Sequence, residues 1–411
     1  MTSASRGDAP LRILAIDHTA GVVPFRKKFQ ALAAHPGLEL TVLAPERWVE
    51  NYRDVRAVES REDGYSLLTG RVVWPGYENR GFFVSGLDRA FRLAKPDLIH
   101  LWEEPFSLIT LQSRASARAH SPGAPWVFST SDDRSAGFRY PYRPSWLYAR
   151  IERASLRSAA GATVINEAVF RLLREKGFER PIERVPHGLE LERYPCSLDA
   201  RAARAGDPDR APVFGVLGRL TPQKGVDVLL GAFSRVTRRP GSVAPLLEIV
   251  GDGPERPRLA ELANRLGIEA RVRFRDPVPH EDVPHVLAEF DVLVLPARTT
   301  PTAREQFGRV LIEGMAAGCV VIGTESGAIP EVIEDAGLVV PEEDEEALAA
   351  ALERVLREPG LASALRSRGR ERVRERYTWT AVASALTSFY RRVLAENASA
   401  SPRSARRKRS P

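Results

Sequence analysis

Glu305 and Glu313 stand eight residues apart in the run Glu305-Gln306-Phe307-Gly308-Arg309-Val310-Leu311-Ile312-Glu313. Phe307 and Gly308 lead into a helix expected to start near Arg309 and to end at Gly318. One carboxylate then lies in the loop before the helix and the other about a turn inside it. Between them is the helix N-terminus, whose unbonded N–H groups and partial positive charge suit an anion. A ligand with hydroxyls at both ends and phosphate in the middle matches that layout, and a nucleotide sugar is such a ligand. Glutamate is common on solvated helix faces, so the spacing needs support from the rest of the chain.

Support comes first from Gly218-Arg219-Leu220-Thr221-Pro222-Gln223-Lys224-Gly225, which directly follows the apolar run Val213–Leu217. It supplies a flexible turn, two cations and then a helix start. Arginine grips phosphate oxygens bidentately and lysine acts as a point charge, so the pair suits a diphosphate. The alternative is a surface turn with solvated cations. The Walker A pattern is absent from this stretch. Val250-Gly251-Asp252-Gly253-Pro254 reads mainly as a tight turn closing a strand and opening a helix. Arg275-Asp276-Pro277 follows another strand, either as a rigid connection or as backbone presented to a base edge.

The elements that must position these residues alternate short apolar runs with longer amphipathic segments. Strands are expected at Leu11–Ile16, Leu38–Leu43, Asp97–Trp102, Pro125–Thr130 and Ala162–Ile165, then at Val213–Leu217, Leu246–Val250, Val272–Phe274, Val292–Leu295, Val320–Gly323 and Leu338–Val340. Helices are expected between them, including Phe25–Ala34, Trp146–Ser158, Val226–Val236 and Val310–Ala317. Strands this apolar are covered on both faces. The expected organisation is a tail (1–10), an acceptor-binding Rossmann-like domain (11–195), a linker (196–212) and a second Rossmann-like domain (213–378) that binds the donor. A helix (379–396) packing back toward the first domain and a disordered basic tail (397–411) complete it. Both domains are α/β, doubly wound on parallel sheets, and are expected to face a central cleft. Ligands in such sheets sit at the carboxyl ends of the strands.

Composition narrows the class. With 411 residues, 43% hydrophobic and 27% charged, the chain is of ordinary globular type. No apolar run reaches the roughly 18 residues of a membrane span, and no signal-peptide pattern opens the sequence. Cys196 and Cys319 lack metal-ligand spacing, which points to a reducing, cytoplasmic setting. The tail after Glu396 holds five of the seven net positive charges, so the body is near neutral and no specific nucleic-acid partner is expected. The tail suits anionic phospholipid, as does the segment from Arg134 to Arg157, where arginines alternate with Phe138, Tyr140, Tyr142, Trp146 and Tyr148. Peripheral contact with the inner face of an anionic membrane is the resulting expectation. A plain solvated tail and an ordinary packed helix are the alternatives. Asp132-Asp133 reads as a solvated turn, and no metal site is expected.

Residues 213–395 closely resemble the donor-binding half of family 4 glycosyltransferases, which have the two-domain GT-B fold. The resemblance rests on the Gly218–Gly225 and Gly251–Pro254 motifs, on Asp291-Val292-Leu293-Val294-Leu295-Pro296, on the two glutamates and on Glu325-Ser326-Gly327-Ala328-Ile329-Pro330-Glu331-Val332. It implies a retaining enzyme that moves a hexose-type sugar from a UDP-, GDP- or ADP-linked donor, without a cofactor and usually without metal. The acceptor would be a glycan, a lipid-linked molecule or a small molecule. Glu305 would contact sugar hydroxyls and Glu313 the ribose. Arg219 and Lys224 would hold the diphosphate beside Gly218, with Pro277 near the base and Phe307 and Gly308 lining the sugar-phosphate pocket. Leaving-group charge would fall on Arg219, Lys224 and the helix N-terminus. A sugar-nucleotide epimerase and a non-catalytic sugar-nucleotide-binding subunit are the competing readings.

The first half resembles the family less. His18-Thr19-Ala20-Gly21 follows the first strand, where members often have paired glycines; here Gly21 is alone. Glu103 or Glu104 in His100-Leu101-Trp102-Glu103-Glu104 is placed to accept from an acceptor hydroxyl, or both are solvated. Ser131-Asp132-Asp133 stands where members carry a cleft-facing histidine. His187 occupies a position where members often have asparagine, as a cleft residue or a turn histidine.

Overall fold

The structure, a computed structural model, describes residues 9–50, 53–61, 64–132, 143–205, 207, 210–238, 245–301 and 303–400. The chain divides into two compact units, one ending at Pro186 and resuming at Trp379, the other running from His187 to Thr378.

The first unit is built on a seven-stranded sheet ordered Ile182–Arg184, Gly161–Val164, Trp126–Thr130, Leu98–Leu101, Leu11–Ile16, Leu38–Pro45 and Ser66–Gly70. All its pairings are parallel. Chain order reverses between Leu11–Ile16 and Leu98–Leu101, which makes that gap the topological switch point. One face buries Leu14, Ile16, Phe91, Ile109 and Phe128. The other buries Ile13, Phe29 and Val42 under Leu386, Phe389, Tyr390 and Val393 of the last helix, Trp379–Ala400. That helix runs four residues past the expected boundary at 396, and 401–411 lie outside the described residues.

The second unit carries a six-stranded sheet ordered Val272–Arg275, Leu246–Val250, Val213–Leu217, Val292–Leu295, Val320–Thr324 and Gly337–Val340, again all parallel. Its switch point lies between Val213–Leu217 and Val292–Leu295. The two units are Rossmann-like, as the alternation of apolar runs and amphipathic helices implies. Residues 196–212, expected as a linker, hold a helix, Leu198–Ala205. Its Arg201 donates to the carbonyls of Phe290, Leu287 (3.2 Å) and Ala317 (2.7 Å) and is 7% exposed. An Ala/Arg-rich stretch that looks flexible is thus an amphipathic helix whose arginine satisfies carbonyls at the ends of neighbouring elements.

Candidate active site

In the second unit, the loop after Val213–Leu217 rests on the loop after Leu246–Val250. The amide of Gly218 donates to Val250 O at 3.0 Å and that of Leu220 to Asp252 O at 2.9 Å. A short 3-10 turn, Pro222–Lys224, then delivers Lys224 to the switch point. Gly225 ends the turn at φ 62°, and a Cβ there would lie 1.9 Å from Pro296 O, at the end of the strand across the switch. Only glycine permits that approach.

Lys224 Nζ lies 2.5 Å from Oε2 of Glu305. The other carboxylate oxygen of Glu305 accepts from the amide of Gly308 at 3.2 Å, just ahead of the helix Arg309–Ala316. The loop that carries Glu305 is held from behind. Ala328 N donates to Glu305 O at 2.9 Å, and Gly327, at φ 55°, leaves only 2.0 Å between that carbonyl and a would-be Cβ. Cation, carboxylate and helix N-terminus therefore meet at one point. Arg219 is exposed and has no ion-pair partner among the described residues, so its guanidinium is available to an anion.

Glu313 lies in the second turn of that helix and is 5% exposed. Its Oε1 accepts from Arg309 Nε at 3.0 Å, and the Tyr194 phenol interacts with it electrostatically. Burial pushes its carboxyl up, while Arg309 and Arg193 pull it back down. Burial and the nearby Glu313 charge raise the Tyr194 phenol. His280 bridges this group: its Nε2 is 3.2 Å from Arg309 Nη2, and its carbonyl accepts from Arg193 at 3.3 Å. Burial and these two arginines depress the His280 imidazole. Sequence reasoning missed Arg193, Tyr194, His280 and Arg309. Only Arg309 left a signal, its i, i+4 spacing to Glu313.

Phe307 does not hang free. Its ring is 5% exposed and packs edge-on against His187 (5.1 Å) and Tyr377 (5.8 Å). That contact places His187 beside the Glu305 loop. Pro277 is exposed at the end of the edge strand Val272–Arg275, two strands from Gly218. At 4.8 Å per strand the two loops are about 10 Å apart, the reach of a nucleoside diphosphate.

The switch point of the first unit holds a different set. His18 Nδ1 and its amide both meet Glu103 Oε1 at 2.9 Å. The Glu103 charge lifts His18 to about 9 against the opposing effect of burial. Burial in turn raises the Glu103 carboxyl. Asp17 is paired with Lys28 at 2.6 Å, and Lys28 Nζ stands 4.0 Å above the Trp102 ring. Glu104 instead fastens the strand ends, accepting from Thr130 Oγ1 and from Ser131 N at 3.0 Å. The two carboxylates expected to reach an acceptor thus have protein partners. Gly21 is buried without a backbone conformation that demands glycine; its carbonyl accepts from Arg26 at 3.0 Å. Asp133 lies outside the described residues, and among those described no group of three or more His, Cys, Asp or Glu could hold a metal.

Two doubly wound parallel units, with a cation–carboxylate pair at a helix N-terminus on the second switch point, define the GT-B class. The fold is similar to that of sucrose-phosphate synthase from Thermosynechococcus elongatus, with a TM-score of 0.65 at 22% identity, covering 94% of this chain and 100% of that one. Residues 200–372 match the family model for glycosyl transferases group 1, and residues 23–188 match that for the glycosyl transferase 4-like domain. Together the two models account for most of the chain, which belongs to the family 4 glycosyltransferases. It is 36% identical over 224 residues to D-inositol 3-phosphate glycosyltransferase of Saccharomonospora viridis, a match covering 52% of this chain and 51% of that protein. It is 32% identical over 246 residues to a GDP-mannose-dependent alpha-(1-6)-phosphatidylinositol monomannoside mannosyltransferase of Mycolicibacterium smegmatis, covering 57% and 64%. The chain thus spans between half and two thirds of the length of these curated relatives.

Proposed function

We propose that the protein transfers a hexose-type sugar from a nucleotide-diphosphate sugar to an acceptor hydroxyl, with retention at the anomeric carbon. The observation that carries this reading is the Lys224–Glu305 contact at the start of the helix Arg309–Ala316. It sets a phosphate-seeking cation and a hydroxyl-seeking carboxylate side by side at an anion-binding helix end. Glu305 orients the sugar and Glu313 the ribose, while Pro277 borders the base. As the bond between the anomeric carbon and the phosphate oxygen breaks, charge grows on the diphosphate. Lys224, Arg219 and the helix N–H groups stabilise it, which is the work a divalent cation would otherwise do. The names of the relatives favour an inositol-phosphate or phosphatidylinositol-type acceptor and include GDP-mannose as donor. UDP- and ADP-sugars fit the same site chemistry.

The proposed setting is cytoplasmic, with peripheral contact at an anionic membrane. No helix among the described residues is long and apolar enough to cross one. Trp146 is 63% exposed on the helix Ser145–Ser158; the preceding aromatic stretch, 133–142, and most of the basic tail lie outside the described residues.

The test is a thermal-shift screen with UDP-, GDP- and ADP-sugars, followed by transfer assays with inositol-phosphate and lipid-linked acceptors, with and without EDTA. A donor that binds the folded state raises the melting temperature by mass action. No shift and no turnover with any donor would overturn the reading. Interconversion of donor sugars without transfer would point to an epimerase instead.

A further inference from the structure

At the amino ends of the strands Trp126–Thr130 and Gly161–Val164, the first unit has a pocket of about 280 Å³. It lies a strand length, roughly 15 Å, from the switch point where His18 meets Glu103. Among its described lining residues four are arginines, Arg114, Arg118, Arg157 and Arg180, and none is acidic. Arg118, Arg157 and Arg180 are exposed and have no ion-pair partner among the described residues.

Arg114 differs from the other three. It is 6% exposed and stacks over the Trp126 ring at 5.6 Å. Its Nη atoms donate to the Ser155 hydroxyl (3.2 Å) and the Ala154 carbonyl (2.9 Å), both neutral. Its Nε is buried and has no hydrogen-bond partner among the described residues. Burial and the Arg118 charge both disfavour its protonated form. A buried guanidinium with no carboxylate is costly unless something neutralises it. Two helices, Leu108–His120 and Ser145–Ser158, end at this pocket. Their carbonyl ends offer roughly half a negative charge each, about one in all, which against four arginines leaves most of the pocket's positive charge uncompensated.

We propose that this pocket binds a compact phosphate-bearing anion, distinct from any donor. Arginine forks suit phosphate oxygens, and the volume is near the lower end for small-molecule sites, more than a bare phosphate fills. The anion supplies the missing countercharge to Arg114 while Arg118, Arg157 and Arg180 close on it from the rim. The proposal is independent of the reading of the second unit.

The experiment is a calorimetric titration of the full chain with inorganic pyrophosphate. An Arg219→Ala/Lys224→Ala background keeps the other phosphate-seeking cations out of the signal. Binding in that background, weakened about tenfold or more by Arg118→Glu and by Arg157→Glu, is the expected result. Arg180→Glu, a third exposed position, guards against a folding defect in either variant. No binding in that background, or binding unchanged by all three reversals, would overturn the proposal. Competition by phosphatidylcholine vesicles doped with phosphatidylinositol 4-phosphate would identify the source as a lipid headgroup; failure of such vesicles to compete would identify a free soluble anion.

Discussion

Lys224 Nζ sits 2.5 Å from Oε2 of Glu305, although the two residues are 81 positions apart in the chain. Each comes from a loop on one side of the second switch point, and each loop is held there by a glycine pressed against a carbonyl. A diphosphate arriving at the helix N-terminus must draw Lys224 partly away from Glu305. That frees the carboxylate for a sugar hydroxyl, so the two halves of the donor are recognised together.

Exchanging Lys224 for Ala is expected to reduce kcat by about 10²–10³, equivalent to roughly 2.7–4 kcal/mol of leaving-group stabilisation. Steady-state kinetics with the donor found in the screen checks this. A change confined to KM would assign Lys224 to ground-state binding alone.

The two glutamates should separate. Glu305→Ala is expected to lose turnover far more than nucleotide affinity. Glu313→Ala should weaken nucleotide binding and also release Arg309 and Tyr194. Comparing kcat with the dissociation constant of the nucleoside diphosphate distinguishes them, and equal, small effects in both would sink the assignment.

Gly225→Ala forces a methyl group toward Pro296 O and an alanine into left-handed backbone. The combined cost is about 2–5 kcal/mol. Gly327→Ala should cost a similar amount and also displace Glu305. Thermal unfolding reads the first effect, and donor affinity at permissive temperature reads the second.

Stability should depend on pH through His18 and Glu103. Both bind a proton more tightly in the folded state than their ordinary values imply. The contribution of His18 is therefore complete below about pH 6.5, the ordinary histidine value, and is lost as pH rises through 9. The melting temperature should fall between pH 7 and 10, and Glu103→Gln should flatten that fall.

His100 acts in the opposite sense. Burial lowers it to about 3, and it stays neutral between the Tyr390 hydroxyl (2.7 Å) and Ser129 Oγ (2.9 Å). Its contribution is present above about pH 6.5 and is lost as pH falls toward 3. Hydrogen exchange in the last helix should quicken first on acidification, because Tyr390 joins that helix to the sheet; protection that falls equally across the whole unit would argue against this.

Much of the architecture was legible before any coordinates. Val213–Leu217, Leu246–Val250 and Val292–Leu295 stand at the positions their apolar runs mark, because strands covered on both faces leave continuous hydrophobic signals. Edge strands Ser66–Gly70 and Ile182–Arg184 carried no such signal, being short and of mixed polarity. The helix Leu108–His120 escaped notice because it buries Thr110, Ser113 and Arg114 beside Ile109 and Ala117, which blurs the apolar stripe.

The spacing of Glu305 and Glu313 about a helix start, and the cations after Val213–Leu217, follow from local order, since backbone geometry within a turn or a helix is settled over a few residues. Other partnerships do not follow from it. His18 with Glu103 spans 85 positions, and Tyr194 with Glu313 more than a hundred. The four arginines around the pocket at Trp126 come from three separate segments, two of them from the helix Leu108–His120. Such contacts depend on which strands become neighbours and which helices end together. That is chosen by burial of whole surfaces at once, which no short stretch of sequence encodes.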